Sequence, residues 1–186
     1  LIEQLRNTRH GDDVANHLRI ARYDMISITK QICDLFVDWI AMNNVEFHIN
    51  TMTPVLWVWI DRRKMEFALR VLLSNALKNT YRFGKITINL SVVRVKGKAF
   101  CSFSIQDDGL GESESTRLGL KQIADMTENS GAIFEGYSSK DETGTQYTIL
   151  IPLGRSHLME RSVEFIEPDG DLVKLNEMQK IGRAHV

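Results

Sequence analysis

The chain has 186 residues, 43% of them hydrophobic and 25% charged, with a formal net charge of −1. That composition fits one globular domain with some additional chain and excludes a disordered one. The near-neutral charge excludes broad electrostatic binding to nucleic acid or an anionic membrane, and the longest wholly apolar run, residues 55–60, is far short of the ~20 that a spanning helix needs.

Residues 1–9 read as a short helix that His10-Gly11-Asp12-Asp13 breaks. Residues 17–23 alternate enough to predict an edge strand. Asp24 is a suitable N-cap for an amphipathic helix that carries Ile28, Ile32, Leu35, Phe36 and Trp39 inward and ends near Asn43-Asn44. Strands are predicted over 45–50 and 55–60, joined through Thr51-Met52-Thr53-Pro54. A second amphipathic helix follows over 62–79, with Met65, Leu69, Leu72, Leu73 and Ala76 as its buried stripe. Strands over 85–95 and 98–107 flank a hairpin turn at Gly97. A polar loop over 108–116 leads to a third helix over 117–129, stopped by Ser130-Gly131. Strands over 132–138 and 145–153 surround a turn over 140–144. Beyond Gly154 the pattern weakens into a linker with a turn at Pro168-Asp169-Gly170. These elements make a two-layer α/β sandwich, a mixed and mostly antiparallel sheet with three helices on one face. Cys33 and Cys101 lack any CxxC spacing and read as core thiols.

Four features carry chemistry. In Asp107-Asp108-Gly109-Leu110-Gly111, alternation with Cys101, Phe103 and Ile105 turns Asp107 to the apolar face of its strand. A carboxylate there needs hydrogen-bond donors, while Gly109 and Gly111 permit a sharp turn beside a flat ligand. On the 62–79 helix, Asn75 and Lys78 stand three apart and are surface neighbours. They offer an amide oxygen suited to a hard cation and a point charge suited to phosphate. Arg117-Leu118-Gly119-Leu120 opens a helix, whose N-terminal N–H groups suit an anion. Gly144-Thr145 begins the last strand. Each feature alone is equally readable as a turn, a polar helix edge or a helix start.

In this order, across residues 14–154, the four features resemble the N box and glycine boxes of the ATP-binding domain of sensor histidine kinases, in the gyrase/Hsp90/histidine kinase/MutL superfamily. The resemblance implies a Bergerat-type fold. It implies that Asp107 accepts from the exocyclic amine of adenine, that Gly109 and Gly111 line the adenine pocket, and that Thr145 supports it. Asn75 would bind Mg²⁺, Lys78 would contact phosphate, and Arg117 and Gly119 would stand at the second glycine box. ATP and Mg²⁺ are the implied cofactors. Residues 1–13 would end a dimerisation helix, with a homodimer formed through helices that this chain lacks. Residues 155–180 would link to a C-terminal domain, and a response-regulator receiver domain, in the same chain or another, is the implied partner. The exit at Ile151-Pro152-Leu153-Gly154 looks like that of Bacteroidetes hybrid two-component sensors. No nucleic acid is expected on this domain, which would lie on the cytoplasmic side of an inner-membrane sensor. Residues 181–186 resemble a translated sequencing adapter and are set aside as a non-native tail.

The chain also departs from the family pattern. Val71 stands where the N box has its first Asn, and Asn79 where an aromatic or His is usual. Only 12 positions separate Asp107 from Gly119, where the family holds a helix and a long mobile ATP lid. One glycine remains over 115–119. The phosphoacceptor is expected outside this chain, because its five His precede Gly11, Leu18, Ile49, Leu158 and Val186 rather than an acidic residue. Two readings therefore stay open: the catalytic domain of a histidine kinase, and a degenerate, non-catalytic domain of the same fold acting through dimer and partner contacts.

Overall fold

The computed structural model describes residues 17–109, 111, 114–138, 144–159 and 163–167. The expected dimerisation helix over 1–13, most of the expected linker and the tail over 181–186 lie outside them. In chain order the elements are β1 (Leu18–Asp24), α1 (Met25–Asp34), α2 (Val37–Met42), β2 (Glu46–Thr51), β3 (Trp57–Ile60), α3 (Arg62–Asn79), β4 (Lys85–Val95), β5 (Lys98–Asp107), α4 (Glu114–Asn129), β6 (Ile133–Ser138), β7 (Thr145–Pro152), a single 3-10 turn (Ser156–Leu158) and β8 (Val163–Phe165).

The larger sheet has the order β2-β4-β5-β7-β6, parallel between β2 and β4 and antiparallel elsewhere. Period-two alternation divides its faces. Ile86, Ile88 and Leu90 of β4, Cys101, Phe103 and Ile105 of β5, and Tyr147, Ile149 and Ile151 of β7 are buried in one core. That core includes Ile28 and Ile32 of α1, Leu69, Leu72, Leu73 and Ala76 of α3, and Leu120 and Ile123 of α4. The other face carries a polar row, Asn50–Asn89–Ser104–Thr148, in cross-strand register. The two-layer sandwich with a mixed, mostly antiparallel sheet is thus the observed architecture. Both cysteines are buried thiols, and burial pushes each up to about 12.

Four expectations change. First, there are two sheets. A smaller one has the order β3-β1-β8, so β1 is a central strand rather than an edge. β2 and β3 do not pair with each other; β2 joins the larger sheet and β3 the smaller. Second, the helix expected to run to residue 43 divides at Leu35-Phe36. The N–H groups of Leu35 and Phe36 donate to Ile32 and Cys33 three residues back, which closes α1 with a tight turn. The apolar stripe rotates out of the core there, leaving Leu35 64% and Trp39 40% exposed. Third, α4 starts at Glu114 rather than 117, so Arg117 lies within its first turn and Gly119 beyond it.

Fourth, part of the expected linker is structured. β8 pairs in parallel with β1, and Leu158 packs with Leu18 and Ile20 at 1% exposure. The Arg155 guanidinium lies 4.9 Å from the Trp59 ring and 5.1 Å from the Phe165 ring, a cation–π contact that ties β8 to β3. Among the described residues, no helix is long and apolar enough to cross a membrane.

Candidate functional site

The site is built where three elements end or cross. The first is α3. Asp61 caps its start, accepting from the Lys64 N–H at 3.4 Å and from the Arg19 N–H of β1 at 3.0 Å. The buried stripe Met65, Leu69, Leu72, Leu73 and Ala76 fixes its rotation on the sheet. Asn75 and Asn79, four apart, are thereby carried into buried positions, while Lys78 remains exposed. The amide nitrogens of Asn75 and Asn79 are both buried without a hydrogen-bond partner. Such atoms are costly in a folded protein and mark a place where a ligand can complete the bonding.

The second element is the end of β5. Asp107 is 4% exposed, and the Gly109 N–H donates to its Oδ1 at 2.9 Å. The Thr145 hydroxyl, on the neighbouring strand β7, donates to its Oδ2. Burial pushes the Asp107 carboxyl above the ordinary carboxylate range, and these two hydrogen bonds oppose the shift. Glycine is required around it by contact. A Cβ on Gly109 would stand 1.9 Å from the Asn79 carbonyl oxygen, and one on Gly144 would stand 2.3 Å from the Asp107 carbonyl oxygen. Gly144 also has a φ of +130°, where a side chain is strained. Gly111, with a φ of +86°, continues the turn.

The third element is α4, which crosses α3 at Gly119. A Cβ there would meet Val71 Cγ1 at 3.0 Å and Asn75 Nδ2 at 3.9 Å. The fold therefore brings together Asn75, Asp107, Gly109, Gly119 and Thr145 through the end of α3. Lys78 faces an open cleft of about 440 Å³ along α3, lined by Phe36, Phe67, Arg70, Val71, Ser74, Asn75 and Lys78. Arg117 is exposed on α4, and the anion site expected at a helix start does not include Gly119. The apolar cavity between β1, α3, α4 and Leu158 is lined by none of the expected site residues.

Two residues were not assigned to the site from the sequence. Asn79 stands beside Gly109, and Arg70 joins Lys78 in the cleft. Their signal was spacing: Asn79 is four residues from Asn75, and Arg70 is eight from Lys78.

The residues present offer a buried acceptor, Asp107, to a ligand amine. They do not fit a protein-held Mg²⁺. Such an ion is usually held through one or two carboxylates together with substrate phosphates. Among the described residues, no group of three or more His, Cys, Asp or Glu could hold a metal. The described carboxylates close to the site are engaged: Asp107 as above, Asp108 by the Lys85 N–H and Glu66 by Arg62.

No family model matches the chain. A curated relative, histidine kinase P4 of Formosa agariphila, is 22% identical over 88% of this chain. The chain spans 13% of that relative's length. The catalytic domain of histidine kinase ThkA superposes with a TM-score of 0.63 at 20% identity, over 73% of this chain and 96% of that one. ThkA is also known in complex with the response regulator TrrA. Full-length ShkA in complex with AMPPNP superposes with a TM-score of 0.61 at 18% identity, over 73% of this chain and 31% of that one. The fold is that of histidine kinase catalytic domains.

Proposed function

We propose that this chain is the ATP-binding catalytic domain of a two-component sensor histidine kinase. The observation that carries the reading is Asp107. It is a buried carboxylate held by Gly109 and Thr145 at the end of β5, and Gly109 packs on the Asn79 carbonyl at the end of α3. In this reading Asp107 accepts from the adenine amine, and Gly109 and Gly111 shape the turn beside the ring. Thr145 keeps the carboxylate oriented, Asn75, Lys78 and Arg117 face the phosphates, and Gly119 lets α4 pack closely on α3 beside Asn75. Mg²⁺ carried in with ATP would meet one amide oxygen, that of Asn75, and no described carboxylate. The γ-phosphoryl group would pass to a histidine on a separate dimerisation segment, and from there to a response-regulator receiver domain. The chain's share of such a transfer is positioning and charge stabilisation.

A second reading, a nucleotide-binding domain without turnover, is favoured by the connection between β5 and α4. Only residues 108–113 lie between Asp107 and Glu114. A lid that excludes water and aligns phosphates needs more chain than that.

Calorimetric titration of ATP into the chain and into Asp107→Asn tests the first step. Micromolar to low-millimolar binding that weakens at least tenfold in the variant is expected. Absence of binding at millimolar ATP would overturn the reading. Radiolabel transfer to a histidine-bearing dimerisation segment, supplied in the same chain, then separates the two readings.

A further inference from the structure

We infer that the α3 cleft is a metal-independent cradle for an oligophosphate, in which Arg70 and Lys78 supply the positive charge that a bound cation supplies elsewhere. The inference rests on the ATP-binding reading and names how that site holds the phosphates.

Arg70, Ser74 and Lys78 recur every four residues on α3 and so form one stripe. The two cations are separated by about 12 Å along the helix axis, at 1.5 Å per residue. The stripe lines the same open cleft as Val71 and Asn75. Among the described residues, no ion pair takes up Arg70 or Lys78 and no carboxylate lines the cleft. Asn75 is 8% exposed, and its amide nitrogen has no partner. That nitrogen is a donor, which suits a phosphate oxygen rather than a cation. Val71, where a second amide could stand, contributes only methyl groups.

A cleft with two cations along its wall, a hydroxyl and a buried, unused N–H donor attracts anions and repels a free divalent cation. Arg70 has the further property of a planar fork that meets phosphate oxygens in pairs, which Lys lacks. It is exposed on α3, so its replacement leaves the core intact.

The test is titration of ATP into the full chain, with excess Mg²⁺ and with EDTA, for the wild type, Arg70→Ala, Arg70→Lys and Asp107→Asn. Thermal unfolding of each serves as the fold control. The expected result is an ATP affinity in EDTA within about threefold of that in Mg²⁺. Arg70→Ala should weaken binding in EDTA by tenfold or more at an unchanged melting temperature, with Arg70→Lys intermediate. Binding that needs Mg²⁺, or that ignores Arg70→Ala while still responding to Asp107→Asn, overturns the cradle and leaves the ATP reading standing. If ATP does not bind under either condition, the ATP reading fails. Tripolyphosphate in EDTA then decides the cradle alone. Binding that Arg70→Ala abolishes supports it, and no binding overturns it.

Discussion

Hydrogen-bond donors and a dry surround act in opposite directions on the proton of Asp107. Burial favours the neutral acid, while the Thr145 hydroxyl and the N–H groups of Gly109 and Thr145 favour the carboxylate, and burial prevails. A carboxyl whose folded-state pKa is raised gives stability below its ordinary pKa and loses it as pH rises through the folded value. Asp107→Asn removes that titration. Its amide oxygen can still accept from Gly109, and the Thr145 hydroxyl can turn to accept from its nitrogen. Melting temperatures of wild type and variant, compared from acid to neutral pH, should therefore diverge in the variant's favour as pH rises. A wild type that gains on the variant over that range would show that the hydrogen bonds outweigh burial. At Gly109 the neighbouring backbone has no room to yield. With the Asn79 carbonyl 1.9 Å from any added Cβ, Gly109→Ala should cost about 3 kcal/mol or more by overpacking, read by denaturant unfolding. The positions of Asp107 and its glycines were legible in the sequence, because strand alternation turned the carboxylate inward and a short turn demanded Gly. Asn79 was not legible, because only the fold shows its carbonyl pressed against Gly109.

Among the elements, α3, β4 and β5 fall within the bounds that their periodicity predicts. Each carries its own local instructions: Asp61 caps α3, and the β4–β5 turn places Lys96 and Gly97 at positive φ. The α1–α2 break was not legible, since Leu35 and Trp39 continue a helical spacing that the turn at Ile32–Phe36 interrupts. The smaller sheet was hidden for a different reason. Its registers, Leu18 with Val163 and Ala21 with Ile60, join distant parts of the chain, and β8 has three residues, too few for a pattern. The structure makes this segment matter. Leu158→Ala, outside the span that resembles the family, should destabilise the protein by about 2–4 kcal/mol, because it empties a fully buried site. A loss under about 0.5 kcal/mol in urea unfolding would mean that residues 156–158 contribute nothing to the core.

For the molecule as a whole, the helices and one sheet face build the core, and the site forms where α3, β5, β7 and α4 meet at one end of it. The polar sheet face, with its row of Asn, Ser and Thr, takes no part. The larger sheet and the helix face were readable because amphipathic alternation specifies them residue by residue. The cleft was not, because it depends on how α3 stands beside the α1–α2 turn. In the function proposed above the phosphoacceptor histidine lies on a separate segment, so that function depends on how the flanks of this domain are held.

The parallel pairing of β1 with β8 bears on that. Residue 17 enters the smaller sheet beside the start of β8, and residue 167 leaves it at the far end. The Ile166 N–H bonds the Ile20 carbonyl at 2.8 Å, and Arg155 clamps Phe165 against Trp59. A pull between these two points runs along the strands rather than across them. It loads the β1–β8 ladder in shear, so its bonds must yield together instead of opening one by one. Tension arriving at residue 17 is thus passed to residue 167 through a short mechanical splice that bypasses the Asp107 site.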